Sequence, residues 1–288
     1  MGGKNLNSNG WRRLLASRKV DFILQLSPFE SLDLYHPFVH FIWDLMHRAH
    51  PWYPEFTRKD WEMRETNLQR ILPRAGRIIV GTETGKEEIA HLYRIPRKNI
   101  AVIPLPAPIQ WQHQEIRESL RLPRRFLFYP AHFRPHKTHF NLIRALRLFH
   151  EHPGSDSDGL HLVLTGSDPW NHQAGIREFA ETLGLGDKVH FLGYVNEGCL
   201  AEIYRKAGAL VYPSLFGPDN LPPLEAFSLG CPVVIADIPG ARDQLGEAAL
   251  YFNPHDPTDI YQKTRSLFVE KEKTRARVEA GKCIARVR

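Results

Sequence analysis

The sequence predicts an α/β protein with parallel sheets covered by helices on both faces, and three observations predict it. From about Phe126 onward, short apolar runs alternate with helical patterns, the order expected of repeated strand–helix–strand units. The helical stretches keep 3.6-residue stripes: Phe140, Ile143, Leu146 and Phe149 in one, Ile176, Phe179 and Leu183 in another. The segment 209–236 holds a whole unit, an apolar strand, a Pro/Gly/Asn loop, a short helix and a second apolar strand. Its helix opens at Pro222-Pro223 and closes at Gly230, proline near the start and glycine past the end being the usual punctuation.

Taken in order, the first half carries strand patterns at 20–26, 38–43, 77–81 and 100–103. A helix fits 58–72 on the stripe Trp61, Leu68, Leu72. Another opens with the capping box Thr84-Gly85-Lys86-Glu87 and continues through Ile89 and Leu92. The proline-rich run from Pro104 to Pro108 reads as a semi-stiff hinge. In the second half strands fall at 126–129, 161–165, 189–192, 209–212, 232–236 and 249–252. Helices fall at 137–150, 171–183, 197–206, 222–229 and from about 257. The expectation is two Rossmann-like domains, residues 1–112 and 113–288, the first of them incomplete.

Composition narrows the function. A chain of 288 residues is long enough for two modest cores. The longest apolar runs are far too short to span a bilayer, and the first ten residues lack the apolar stretch of a signal peptide. Cys199, Cys231 and Cys283 lie far apart, so neither a disulfide framework nor a zinc knuckle is indicated. A reducing cytoplasm is the default location. The net charge of +6 is local: residues 263–288 hold nine Lys/Arg against three Glu. A nucleic-acid binder would spread positive charge over a folded face, so no nucleic-acid partner is expected. The terminal basic segment reads as a solvated tail helix, with contact to an anionic membrane surface as its functional alternative.

Ligands of doubly wound sheets bind outside the carboxyl ends of the strands. Two loops there carry chemistry. In the run from Tyr129 to His139, Lys137 is a point charge suited to a diphosphate, with His132 or Arg134 assisting. A metal site made of His132, His136 and His139 is the alternative, but the spacing matches no standard motif. In the second loop, the N–H groups of Asn220 and Leu221 precede the helix and suit a phosphate. Glu225, one turn inside, can accept hydrogen bonds from sugar or ribose hydroxyls. On the same rim, Thr165-Gly166-Ser167 and Gly193-Tyr194-Val195 supply small residues that let a ligand approach the backbone.

With these residues in order, residues 126–268 resemble the donor-binding domain of glycosyltransferase family 4, retaining enzymes of the GT-B architecture. The resemblance rests on Lys137, Leu164-Thr165-Gly166-Ser167 and Val189 to Tyr194. It continues through Tyr212 to Phe216, Leu221 to Ala226, Gly230 to Val233 and Ala248 to Pro254. Trp43 to Arg48, Tyr53 to Phe56 and Ile79 to Ile89 resemble the later part of that family's acceptor-side domain.

The resemblance implies a GT-B-like α/β fold and a metal-independent, retaining transfer of sugar from a nucleoside diphosphate sugar to an acceptor hydroxyl. No cofactor is implied. The partners implied are a nucleotide sugar and a carbohydrate or lipid-linked acceptor. Lys137 would hold the diphosphate, the backbone at Asn220 and Leu221 would cap its charge, and Glu225 would bind the ribose. Gly193 to Val195 would line the base, and Asp44 and His47 would face the transferred sugar and acceptor. The chain departs from the family at named positions. Gly217 stands where the first acid of the paired-glutamate motif belongs, with Asp219 as the nearest substitute, and His132 stands for an arginine. No counterpart of the family's first strand and glycine-rich turn precedes Val20, so an N-terminally shortened chain is expected. A catalytically impaired nucleotide-sugar-binding module and a nucleotide-sugar epimerase of the same fold are the competing expectations. A metal-dependent GT-A transferase would need Asp156-Ser157-Asp158, which falls in a polar loop rather than at a strand end.

Overall fold

The computed structural model describes residues 8–26, 36–108, 111, 120–152, 154 and 159–288. Two compact units divide between Pro104 and Leu105, inside the proline-rich run. The Asp156–Asp158 segment lies outside the described residues.

The first unit opens with α1 (Ser8–Ser17), which the apolar periodicity did not suggest. Strands β1 (Ile23–Gln25), β2 (Phe38–Phe41), β3 (Arg77–Val80) and β4 (Ile100–Val102) form one parallel sheet in that order. Between β2 and β3 lie the one-turn α2 (Met46–Ala49) and α3 (Arg58–Ile71). Thr57 and Asp60 close a reciprocal capping box on α3. The next helix, α4 (Glu83–Tyr93), starts earlier than its sequence suggests. Its cap is Thr82, whose hydroxyl accepts from Gly85 N–H at 3.1 Å, and Thr84 lies inside the first turn. Thr82 wins because β3 delivers it in extended backbone, the conformation an N-cap needs.

The second unit alternates without interruption: β5 (Phe126–Pro130), α5 (His139–Glu151), β6 (His161–Thr165), α6 (Gln173–Thr182), β7 (Val189–Phe191), α7 (Glu197–Lys206). It continues through β8 (Ala209–Tyr212), α8 (Leu221–Ser228), β9 (Val233–Ala236), α9 (Ala241–Leu245) and β10 (Leu250–Phe252). Helices α10 (Pro257–Val269) and α11 (Lys271–Val287) complete it. The six strands are parallel in the order β10-β9-β8-β5-β6-β7. Counted from β5 this is the doubly wound order 3-2-1-4-5-6, whose reversal point falls between β5 and β8. Ridges of α5 (Leu142, Ile143, Leu146, Phe149) and the β5 residues Phe126 to Tyr129 are buried together, so the sheet is covered on both faces.

The basic terminal segment is not a solvated tail. One stripe of α11, with Gly281 and Ala285 buried and Val278 and Lys282 beside it, packs on α8. Gly281 is the closest point: a Cβ there would lie 2.5 Å from Cδ1 of the buried Phe227. Lys271, Lys273, Arg275 and Arg286 stay exposed. Gly281→Val overpacks this contact and should lower unfolding stability by about 1–3 kcal/mol in urea denaturation. An unchanged midpoint would mean that α11 does not pack on α8 in solution.

Candidate functional site

The reversal point brings two loops together. The loop leaving β5 passes through a 3-10 turn at Pro135–Lys137, and Thr138 takes left-handed backbone (φ 45°) to start α5. The loop leaving β8 runs beside it. Leu215 N–H donates to His136 O at 2.8 Å, and the Thr138 hydroxyl donates to Pro213 O. Lys137 then extends its ammonium over Tyr212, donating to the Tyr212 hydroxyl at 3.3 Å and to Ser214 Oγ at 3.1 Å. The Tyr129 hydroxyl holds the Lys137 carbonyl at 3.0 Å from below. The Tyr212 and Ser214 hydroxyls are neutral, so they orient the ammonium without cancelling its charge.

The network continues from Tyr212. Its hydroxyl donates to Asn220 Oδ1 at 3.2 Å, and Asn220 is the N-cap residue of α8. Gln244, on α9, holds the other side of that cap. Its Oε1 accepts from Asn220 N–H at 3.1 Å, while its Nε2 donates to Asn220 O at 2.8 Å and to Asp219 Oδ1 at 2.6 Å. This corrects one expectation about the helix tip. Asn220 N–H is already engaged, and Pro222 and Pro223 have no N–H, so Leu221 supplies the first-turn N–H that remains for a ligand.

Glu225 lies half-buried on the next turn, accepting from the Tyr204 hydroxyl at 2.7 Å through Oε2. Burial pushes its carboxyl upward, partly offset by that hydrogen bond. The Glu225 charge also raises the Tyr212 phenol, behind the larger effect of burial. Lys137, Leu221 and Glu225 thus surround one tyrosine on one rim.

Two neighbouring positions differ from what their sequence suggests. Gly217 has φ 141°, and a Cβ there would meet the Asn220 amide at 2.4 Å. The space of an acid at this position is filled by Asn220. Of Asp219, Gln244 holds Oδ1 at 2.6 Å, and burial raises its carboxyl. Gly166, also at φ 141°, makes room for protein rather than for a ligand. A Cβ would lie 2.1 Å from Ala131 O, and its N–H donates to Gly193 O at 2.8 Å. Gly193 (φ 68°) does border open space, next to half-buried Val195 and to Tyr194, which is 85% exposed. His132 is exposed on the same rim with Nδ1 2.5 Å from Ser167 Oγ. The three histidines of the loop do not converge. His139 is buried between Tyr129 and Phe133, and burial holds it down to about 3, hence neutral. Among the described residues no cluster of three or more metal-ligating side chains occurs.

In the first unit Asp44 and His47 differ in exposure. Asp44 is half-exposed after β2, accepting from Met46 N–H at 2.9 Å with Arg64 3.8 Å away. His47 is 1% exposed, 3.4 Å from both Glu65 and the Tyr93 hydroxyl and edge-on to Phe56 and Trp61. A side chain so enclosed organises α2 against α3 and does not face a sugar. Sequence spacing missed Glu88 on α4, which sits near enough to feel the Asp44 charge. Burial, then that charge, lifts Glu88 from 4.5 to about 7.

The glycosyl transferases group 1 family model matches residues 112–282. The chain is 30% identical over 194 residues to the O-antigen chain mannosyltransferase RfbU of Salmonella typhimurium, covering 66% of this chain and 50% of that protein. It is 26% identical over 211 residues to the O-antigen chain mannosyltransferase B of Escherichia coli, covering 70% and 54%. The chain thus spans about half the length of these curated relatives. Among solved structures it resembles a sucrose-phosphate synthase from Thermosynechococcus elongatus, with TM-score 0.81 and 20% identity over 97% of this chain and 72% of that one. It also resembles Anabaena Alr3699/HepE in complex with UDP and glucose, with TM-score 0.78 and 17% identity over 96% and 76%.

Two measurements check this geometry. Gln244→Leu strands Asn220 N–H and the Asp219 carboxylate, and should cost about 2–4 kcal/mol in chemical denaturation; a change within error would remove Gln244 from the network. Glu88 takes up a proton on folding, because its folded value exceeds its unfolded one. Its contribution is therefore full below 4.5 and lost as pH rises toward about 7. Glu88→Gln should gain stability over the parent across that window, and parallel pH–stability curves would refute the burial of a carboxyl there. By its family model the chain belongs to the glycosyl transferases group 1 family.

Proposed function

We propose that this chain transfers a sugar from a nucleoside diphosphate sugar to an acceptor hydroxyl, with retention and without a metal ion. One observation carries the reading: the Lys137 ammonium, oriented by Tyr212 and Ser214, stands at the reversal point beside the α8 tip. The leaving diphosphate gathers two to three negative charges as the bond to the sugar breaks. A preorganised cation and a helix N-terminus stabilise that charge where it develops.

Within this reading each residue has one task. Lys137 holds the diphosphate, and Leu221 N–H donates to it along the helix dipole. His132 approaches it from the loop after β5. The unoccupied Oε1 side of Glu225 accepts from the ribose hydroxyls, while Tyr204 fixes the other oxygen. Gly193 to Val195 line the base, with the exposed Tyr194 ring available to stack on it. The bond from the anomeric carbon to the phosphate oxygen breaks, and the acceptor oxygen bonds to the same face of that carbon. The acceptor proton passes to the departing phosphate. Asp44 is the group of the first unit retained for the sugar or acceptor.

The relatives' names support hexosyl transfer in polysaccharide assembly, onto a carbohydrate or lipid-linked carbohydrate. The solved neighbour carrying UDP and glucose supports a nucleoside diphosphate donor. The exposed basic residues of α11 are the groups that would meet an anionic membrane. Among the described residues no helix is long and apolar enough to cross one.

A panel of UDP- and GDP-linked hexoses, screened by thermal shift and then by product formation with and without EDTA, tests the proposal. Lys137→Ala should lose about 3 kcal/mol of transition-state stabilisation, more than a hundredfold in kcat/KM, with turnover indifferent to EDTA. Donor binding without transfer would identify a binding module, sugar inversion without acceptor an epimerase. Unchanged turnover in Lys137→Ala would sink the site.

A further inference from the structure

The opposite edge of the second sheet carries a second cationic site. Arg124 and Arg125 immediately precede β5, His161 begins β6 and His190 sits in β7, so all four gather at the amino ends of three adjacent parallel strands. Together with Arg121 they line an open hollow of about 670 Å³. Ligands of the sugar-transfer rim sit at the carboxyl ends, so this hollow serves something else.

Its chemistry is one-sided. Among the described residues no acid lines it, and Asp187, whose charge reaches both histidines, is paired with Lys188 at 2.7 Å. His161 Nδ1 and His190 Nε2 are 2.9 Å apart, with their rings tilted and centroids 5.0 Å apart. His161 and His190 lie on one face because Val163 pairs with His190 in the parallel register. His150, whose Nε2 lies 2.9 Å from Leu160 O, adds a third ring nearby. The His161–His190 contact survives with neither or one ring charged, but two imidazolium rings would point N–H at N–H. Burial lowers both rings first. His190 and Lys188 lower His161 further, whereas Asp187 raises both and Lys188 lowers His190. An anion in the hollow reverses that balance and draws a proton onto the pair.

We propose that Arg121, Arg124, Arg125 and the His161–His190 pair form a binding site for a phosphate-class anion, coupled to proton uptake. Guanidinium forks match tetrahedral oxyanions, and the histidine pair adds charge only when the anion is present. The phosphate comes from a free phosphorylated compound or from a lipid headgroup, both of which present the same oxygens.

The test follows the His161 and His190 ring resonances by NMR in the intact chain. Inorganic phosphate should move them saturably, whereas sodium chloride of equal ionic strength should not. Inorganic sulfate, whose charge is constant, should bind about tenfold more tightly near pH 6 than near pH 8, and His190→Ala should abolish that pH dependence. Arg124→Ser with Arg125→Ser should weaken binding by about tenfold or more with an unchanged melting temperature. Co-sedimentation with phosphatidylglycerol–phosphatidylcholine vesicles, against phosphatidylcholine alone, separates the sources. Vesicle binding lost in the double variant assigns the site to lipid phosphate, and saturable binding of free phosphate without vesicle binding assigns it to a soluble ligand. Shifts equalled by chloride, or vesicle binding that survives the double variant without any phosphate effect, overturn the proposal.

Discussion

The second unit depends on one polar constraint: a lysine ammonium held between two strand-end loops by the hydroxyls of Tyr212 and Ser214. At the β5/β8 reversal point adjacent connections run to opposite faces, leaving a crevice that no helix fills. Tyr212 spans it, accepting from Lys137 and donating to Asn220. A carboxylate in that position would have neutralised the ammonium and repelled a diphosphate. The Tyr212 and Ser214 hydroxyls position the cation without neutralising it.

The constraint propagates through the helix tip. Two prolines at the second and third positions of α8 preset its φ angles and delete two N–H groups. What remains at the tip is one first-turn amide, at Leu221, rather than a broad nest. Asn220 cannot cap α8 with its side chain because the amide is committed to Tyr212 and Gly217. Gln244 satisfies its backbone from α9 instead. Gly217 follows from the same crowding, since a side chain there would displace the Asn220 amide. Loss of an acid at 217 and presence of the Asn220–Gln244 pair are therefore one structural fact.

How much of this was legible in the sequence depends on how local its cause is. Alternation and helical stripes located nearly every strand and helix of the second half, because burial on both faces writes itself into contiguous apolar runs. The placement of Lys137 and Glu225 near one another was legible since each sits at a fixed offset from a strand end or helix start. Gln244 was not, because its partners lie 24 and 25 residues earlier and only the tertiary fold brings α9 beside α8. Gly166 misled for the opposite reason: a small residue at a rim looks like room for a ligand, yet a neighbouring loop takes the space. His47 misled similarly, since spacing cannot distinguish an enclosed histidine from an exposed one. The basic terminal helix was judged by its charge, and its packing stripe is built from Gly281 and Ala285, which hydropathy hardly registers.

These misreadings share a physical origin that bears on how the rim works. Two groups on it that looked available by type, Asn220 N–H and Gly166, are spent on holding another part of the rim. Such expenditure is what preorganisation requires, since a group free to serve a ligand is also free to reorient before the ligand arrives. Polar groups locked by second partners leave few donors, each with a fixed direction. The Leu221 amide and the Lys137 ammonium are therefore informative because their surroundings are saturated. A rim with more unsatisfied donors would bind water as readily as phosphate, and reorganising that water would oppose the charge movement that the proposed sugar transfer demands.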